Sequence, residues 1–122
     1  MTHQTVLTVD DSRTMRRMLK LTLEDGGYRV LQAEDGLLGL EVLKEEIPDV
    51  IVTDINMPNM DGFGFIDAVR AQSQFAGIPI LVLTTESDRA LKERARNAGA
   101  TGWITKPFEQ TRLVDVVRRV AV

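Results

Sequence analysis

Three carboxylates, a hydroxyl and an ammonium stand where short apolar runs of this chain end. Asp10 and Asp11 follow "TVLTV", Asp54 follows "DVIVT", Thr84 ends "PILVLT", and Lys106 follows "TGWIT". Carboxylates brought close repel one another, and their pKa values rise unless a cation intervenes. Lys106 supplies one positive charge and a divalent metal would supply more. Oxygen donors with no His or Cys beside them suit Mg²⁺, with Mn²⁺ as a substitute, rather than zinc. A carboxylate nucleophile, a neutralising ion, a hydroxyl and a lysine together form the equipment of phosphoryl transfer. Each has a plainer explanation when taken singly. "DDS" is more often a helix start, Thr84 a β-branched strand end, and Lys106 before Pro107 a solvated loop charge. The joint placement is what these explanations leave unaccounted for.

That placement depends on the elements around them. "TVLTV" (5–9), "YRVLQA" (28–33), "DVIVT" (49–53), "PILVLT" (79–84) and "TGWIT" (101–105) have strand length and β-branched content. Helix patterns lie between. After Ser12, an N-cap residue type, Met15, Met18, Leu19 and Leu23 share one face, which Gly26-Gly27 ends. Leu37, Leu40, Leu43 and Ile47 make a second stripe closed by Pro48. Phe63, Ile66, Val69 and Arg70 mark a third helix, Ser87-Asp88 begin a fourth, and Leu113, Val116, Val117 and Val120 line a fifth. The fourth offers only Leu91, Ala95 and Ala98 to a core, a narrow stripe that anchors a helix weakly. Met57 and Met60 read as loop-packing residues, and His3, the only histidine, as a disordered terminal residue without a role.

Strands alternating with helices imply right-handed βαβ units, hence an α/β fold with a doubly wound parallel sheet and helices on both faces. Parallel strands share a direction, so their carboxyl ends lie on one edge, where ligands bind in open α/β sheets. The polar residues above fall on that edge.

Bulk properties exclude several functions. A formal net charge of −3 and a pI of about 5.1 leave no basic footprint for nucleic acid. The absence of cysteine removes disulfide and thiol chemistry. "MTHQTVLTVDD" has no basic region followed by a long apolar one, and "IPILVL" is too short to span a bilayer. The expectation is a single-domain, monomeric, cytoplasmic protein over residues 1–122, with no output domain after the last helix.

The segments "VDDSRTMRRM", "TDINMPNMDG", "LVLTTES" and "GATGWITKPF" stand in an order and spacing that resembles the receiver domains of bacterial two-component systems, particularly the stand-alone chemotaxis regulators. The resemblance covers essentially the whole chain and implies a five-stranded, flavodoxin-like sheet in the order 2-1-3-4-5. It makes Asp54 the phosphoacceptor, Asp11 a direct Mg²⁺ ligand, Asp10 its acidic neighbour and Asn56 a ligand through its backbone carbonyl. Thr84 and Lys106 correspond to the hydroxyl and lysine that hold the phosphoryl group, with Lys106-Pro107 a cis bond. Trp103 stands where the family's switch aromatic is often Tyr or Phe, so Trp103 and Thr84 form the implied switch and output pair. Asn56 and Glu86 match a pair associated with rapid self-hydrolysis.

The resemblance thus implies a phosphorylation-activated switch, not an enzyme, fed by a CheA-like histidine kinase and acting by protein contact. A flagellar motor switch protein is the implied target, and a phosphate sink for a shared kinase is the alternative within the class. A Mg²⁺-dependent aspartyl-phosphate phosphatase would need an acid two residues after its nucleophile, where Asn56 stands. A flavodoxin-type cofactor module would need a phosphate-cradling Ser/Thr/Gly loop after the first strand, where "DDSRTM" has no glycine. A pure interaction scaffold would not need the full set of site residues.

Overall fold

A computed structural model of the chain describes residues 3–121. Strands and helices alternate. The first half comprises β1 (Thr5–Val9), α1 (Arg13–Asp25), β2 (Arg29–Ala33), α2 (Gly36–Glu45) and β3 (Val50–Thr53). The second comprises α3 (Gly62–Arg70), a 3-10 turn (Ser73–Phe75), β4 (Ile80–Thr84), α4 (Arg89–Ala98), β5 (Gly102–Thr105) and α5 (Gln110–Val120). The strands form one parallel sheet in the order β2-β1-β3-β4-β5, as the resemblance implies.

Side chains alternate across the sheet and so feed two cores. Leu7, Val9, Ile51 and Val82 pack with Leu43 of α2, Phe65 and Ile66 of α3, and Ala95 of α4. Val6, Val50, Val52, Leu81 and Leu83 face the other way, against Leu19 and Leu23 of α1 and Leu113 and Val117 of α5. The inner strands β1, β3 and β4 are buried throughout, whereas β2 at one edge and β5 at the other are partly open. Among the described residues no helix is long and apolar enough to cross a membrane.

Side-chain caps fix where helices begin at the carboxyl edge. Ser12 Oγ accepts from Met15 N–H, Asp35 from Leu38 N–H, Asp61 from Gly64 N–H, and Asp88 from Ala90 N–H. Two expected stripes are narrower than the pattern implied. Met18 is 44% exposed, leaving Leu19, Thr22 and Leu23 as the buried face of α1. Helix α2 stops at Glu45, so Ile47 lies beyond it and is 56% exposed, and Leu37 is also exposed. The residue before a proline is driven to extended backbone, so Ile47 ahead of Pro48 cannot continue a helix. His3 also departs from expectation: its Nδ1 lies 3.0 Å from the Gly27 carbonyl oxygen.

Helix α4 is as sparsely anchored as its sequence implies, with Ala95 its one buried side chain. Its carboxyl end is secured from outside. Arg70 Nε and Nη2 donate to the Gly99 carbonyl at 3.1 and 3.0 Å, and Nη1 donates to Phe75 and Ala76 at 3.1 and 3.3 Å. Burial of this guanidinium pushes its pKa down from the ordinary arginine value. Arg94 of α4 adds a stacking contact over the Phe63 ring, 4.0 Å from its centroid.

Candidate functional site

Strand register assembles the carboxylates. Val9 is paired with Thr53, so the next residues, Asp10 and Asp54, leave the sheet side by side. Thr84 is paired with Thr105 in the same way, which brings Lys106 to that edge, and the Lys106-Pro107 bond is cis. Asp10, Asp11 and Asp54 each offer an oxygen within 4.8 Å of the others. Asp10 and Asp54 are only 2% and 9% exposed, whereas Asp11 faces solvent.

Lys106 Nζ donates to Asp10 Oδ2 at 2.8 Å and to Asp54 Oδ2 at 2.7 Å. Each carboxylate has a backbone donor as well: Ser12 N–H to Asp10 Oδ1 at 2.9 Å, and Ile55 N–H to Asp54 Oδ1 at 2.6 Å. Arg16 Nη1 donates to the Asp10 carbonyl at 2.7 Å and steadies the β1–α1 junction. Burial works against the Lys106 charge, but its hydrogen bonds to Asp10 and Asp54 and their negative charges outweigh that cost. Its pKa is held above the ordinary lysine value. One ammonium among three acidic side chains leaves a negative surplus on an oxygen-only donor set, the chemistry that accepts a hard divalent cation.

The chain doubles back tightly after Asp54. Gly62 N–H donates to the Ile55 carbonyl at 2.8 Å, and a Cβ at Gly62 would stand 2.3 Å from the Asp54 carbonyl oxygen. Only glycine permits this approach, which sets α3 directly against the base of the Asp54 loop.

The other expected residues meet at Glu86. Thr84, fully buried, accepts from Glu86 N–H through Oγ1 at 3.4 Å. Trp103 Nε1 donates to the Glu86 carbonyl at 3.1 Å, and Asn56 Nδ2 donates to Glu86 Oε1 at 3.3 Å. One residue of the β4–α4 loop therefore contacts the hydroxyl, the half-buried indole and the loop after Asp54. Met57 and Met60 pack against the core, as expected of loop-packing residues.

Sequence reasoning overlooked Asp35 and Asn59, which are hydrogen-bonded to each other at 2.8 Å. The available signals were local: Asp35-Gly36 as a helix start, and Asn59 as a turn residue that tolerates positive φ.

The model for the response regulator receiver domain matches residues 6–118. Over 116 residues the chain is 40% identical to a Helicobacter pylori protein named sensor histidine kinase CheAY, covering 93% of this chain and 14% of that relative. It is 39% identical over 116 residues to the Vibrio cholerae chemotaxis protein CheY-3, covering 94% of this chain and 89% of the relative. Among solved structures, Vibrio cholerae CheY4 superposes with a TM-score of 0.93 at 45% identity, covering 98% of this chain and 99% of the other. The receiver domain of the Pseudomonas aeruginosa histidine kinase PA1611, described with a magnesium ion in its active-site cleft, superposes with a TM-score of 0.91 at 27% identity, with 98% of each chain covered. With the expected sheet order and the acidic cluster at the sheet's carboxyl edge, these likenesses establish that the chain belongs to the response regulator receiver domain family.

Proposed function

We propose that this chain is a signalling switch that accepts a phosphoryl group from a histidine kinase onto Asp54. The observation that carries the reading is the Lys106 ammonium bridging Asp10 and Asp54 at the sheet's carboxyl edge. In the transfer, a carboxylate oxygen of Asp54 forms a bond to phosphorus as the donor's P–N bond breaks, and the departing imidazole keeps the electron pair and takes up a proton. Water later cleaves the acyl phosphate, restoring the carboxylate and releasing inorganic phosphate.

Asp10, Asp11, Asp54 and the backbone carbonyl of Asn56 would hold Mg²⁺, which supplies charge neutralisation for the phosphoryl oxygens. The acidic surplus and oxygen-only donors support that assignment, as does the magnesium described for the PA1611 receiver domain. Lys106 supplies a donor to a phosphoryl oxygen once it is released from a carboxylate. The Thr84 hydroxyl accepts from Glu86 N–H and has its own proton to donate in turn. Asn56, two residues after Asp54, and Glu86, hydrogen-bonded to it, are placed to influence how water reaches the acyl phosphate. Output is by protein contact. The likeness to chemotaxis regulators supports a CheA-like kinase as donor and a flagellar motor switch protein as target.

Incubation with a phosphorylated histidine kinase, or with acetyl phosphate and Mg²⁺, should add one phosphoryl group, read by intact mass. Asp54→Asn should abolish the gain, because an amide is no anionic nucleophile. Labelling of that variant at the wild-type rate would remove Asp54 from its role.

A further inference from the structure

The loop between β3 and α3 carries both Asp54 and Asn56, and its tip is held in an unfavourable shape. Met60 N–H donates to the Pro58 carbonyl at 2.7 Å, closing a three-residue turn around Asn59. Asn59 has φ 66°, the one positive φ outside glycine among the described residues. Asparagine tolerates this left-handed value better than most L-residues, but it remains less favourable than negative φ and is held here by its surroundings. The surroundings here belong to a different βα unit. Asn59 Nδ2 donates to Asp35 Oδ2 at 2.8 Å, and Gly36 N–H donates to the Met60 carbonyl at 3.1 Å. A Cβ at Gly36 would stand 2.6 Å from Met60 Cγ and 2.9 Å from the Met60 carbonyl oxygen, so α2 reaches the loop only because that residue is glycine. Asp35 is itself a fixed point: it is 5% exposed, and its Oδ1 caps α2 through Leu38 N–H at 2.9 Å.

We infer that Asp35 and Asn59 are a positioning pair for the Asp54 site, holding the β3–α3 loop so that Asn56 presents its main chain to the acidic cluster. The inference rests on the proposed function and deepens it. The base of the loop is already closed by Gly62 N–H on the Ile55 carbonyl, so its tip is where orientation can be lost. Without the Asn59 amide the turn is free to relax toward negative φ, which rotates the peptides running back through Pro58 and Met57 to Asn56. Neither Asp35 nor Asn59 touches the cluster; they act through the backbone between. The same amide is the leading cause that holds the Asp35 carboxyl below the ordinary carboxylate range, so the contact is matched on both sides.

The test separates tether from turn. Asn59→Gly keeps the left-handed backbone accessible and removes only the side-chain bond. The double variant Asp35→Asn/Asn59→Asp restores a bond of opposite polarity without changing net charge, and asparagine still caps α2. Mg²⁺ affinity is read by calorimetry on the unphosphorylated protein, the rate of labelling by acetyl phosphate separately, and thermal stability as a control. Asn59→Gly should lose up to about tenfold in Mg²⁺ affinity, because a residue acting only through the backbone stays at or below the lower end for a ligand's direct partner, and the double variant should recover most of it. Should the glycine variant not fold, Asp35→Ser alone, which keeps a capping hydroxyl for α2 but is too short to reach the Asn59 amide, takes its place in the comparison. Equal Mg²⁺ affinity in wild type and Asn59→Gly would overturn the inference, as would a double variant that stays as weak as Asn59→Gly. Wild-type protein that binds Mg²⁺ but is never labelled would overturn the phosphoryl-acceptor reading instead, while the calorimetry still decides the pair.

Discussion

Lys106 Nζ lies 2.7 Å from Asp54 Oδ2, although 52 residues separate them in the chain. The ammonium thus occupies the space beside the proposed nucleophile, shared with Asp10 at 2.8 Å. An incoming phosphoryl group brings oxygens that compete with both carboxylates for it. The lysine is placed to follow that charge, and a shift of one half-buried cation is a means of carrying the modification into the β5–α5 loop.

Lys106→Ala should therefore separate chemistry from signal. Lysine contributes a point charge rather than the nucleophile, so labelling of Asp54 should slow by no more than roughly a hundredfold. The conformational response should vanish, read as hydrogen exchange in α4 and the β4–α4 loop with beryllofluoride bound. Wild-type exchange changes in this variant would refute the division of labour.

Asp11 is the exposed member of the cluster, and Lys106 leaves it unneutralised by bonding to the other two. Asp11→Ala should weaken Mg²⁺ binding and slow both labelling and self-dephosphorylation. It should also stabilise the metal-free protein by about 1 kcal/mol, because it relieves like-charge repulsion. Unchanged Mg²⁺ affinity by titration would sink the ligand assignment.

The Asp35 carboxyl is held below its ordinary value of 3.8 by the Asn59 amide first, then by the Leu38 N–H, against a smaller opposing effect of burial. A depressed folded-state pKa stabilises the fold above the unfolded value and ceases to do so as pH falls through the folded one. The stability gap between wild type and Asp35→Asn, measured by urea denaturation, should be constant at neutral pH. It should narrow as pH drops below 3.8, once both states bind the proton. A gap that stays flat into that range would show that the charge of Asp35 contributes nothing.

Four of the five strand ends were legible in the sequence because the apolar run gives way to Asp10, Asp54, Thr84 or Lys106, and that punctuation also marked the candidate site. Asp10, Asp54 and Lys106 could be placed on one edge from strand direction alone. The cap residues Ser12 and Asp88 gave helix starts correctly. The end of α2 was misjudged because periodicity admitted Ile47, although Pro48 carried the contrary signal. The Asp35–Asn59 bond had no signal of comparable strength. It joins residues 24 apart, and it exists only because β2 lies beside β1 and brings the start of α2 against the loop after β3. Such contacts between units follow from sheet order, which local pattern does not specify. The resemblance paired Asn56 with Glu86 and Thr84 with Trp103, but that both pairs meet at Glu86 was hidden for the same reason.

Trp103 offers the most direct view of switching, because it is the only tryptophan and its indole N–H is bonded to the Glu86 carbonyl at 3.1 Å. The Glu86 N–H is at the same time bonded to Thr84 Oγ1, so the hydroxyl and the ring hold opposite sides of one residue. If Thr84 turns toward a phosphoryl group on Asp54, its hold on Glu86 N–H changes, and the β4–α4 loop is free to resettle over the ring. The ring is half-buried and therefore has exposed surface left to lose. A difference of only a few kcal/mol between the two loop positions is enough for phosphoryl contacts to shift their populations. Trp103 emission should move to shorter wavelength on addition of Mg²⁺ and beryllofluoride, and Thr84→Ala should bind the same ligands without that move. The opposing consideration is that the indole N–H already has the partner a buried tryptophan requires. Constant emission in a protein whose Asp54 is shown to be occupied would make Trp103 a fixed prop. The moving part would then be α4, which Arg70 secures at its carboxyl end and only Ala95 buries along its length.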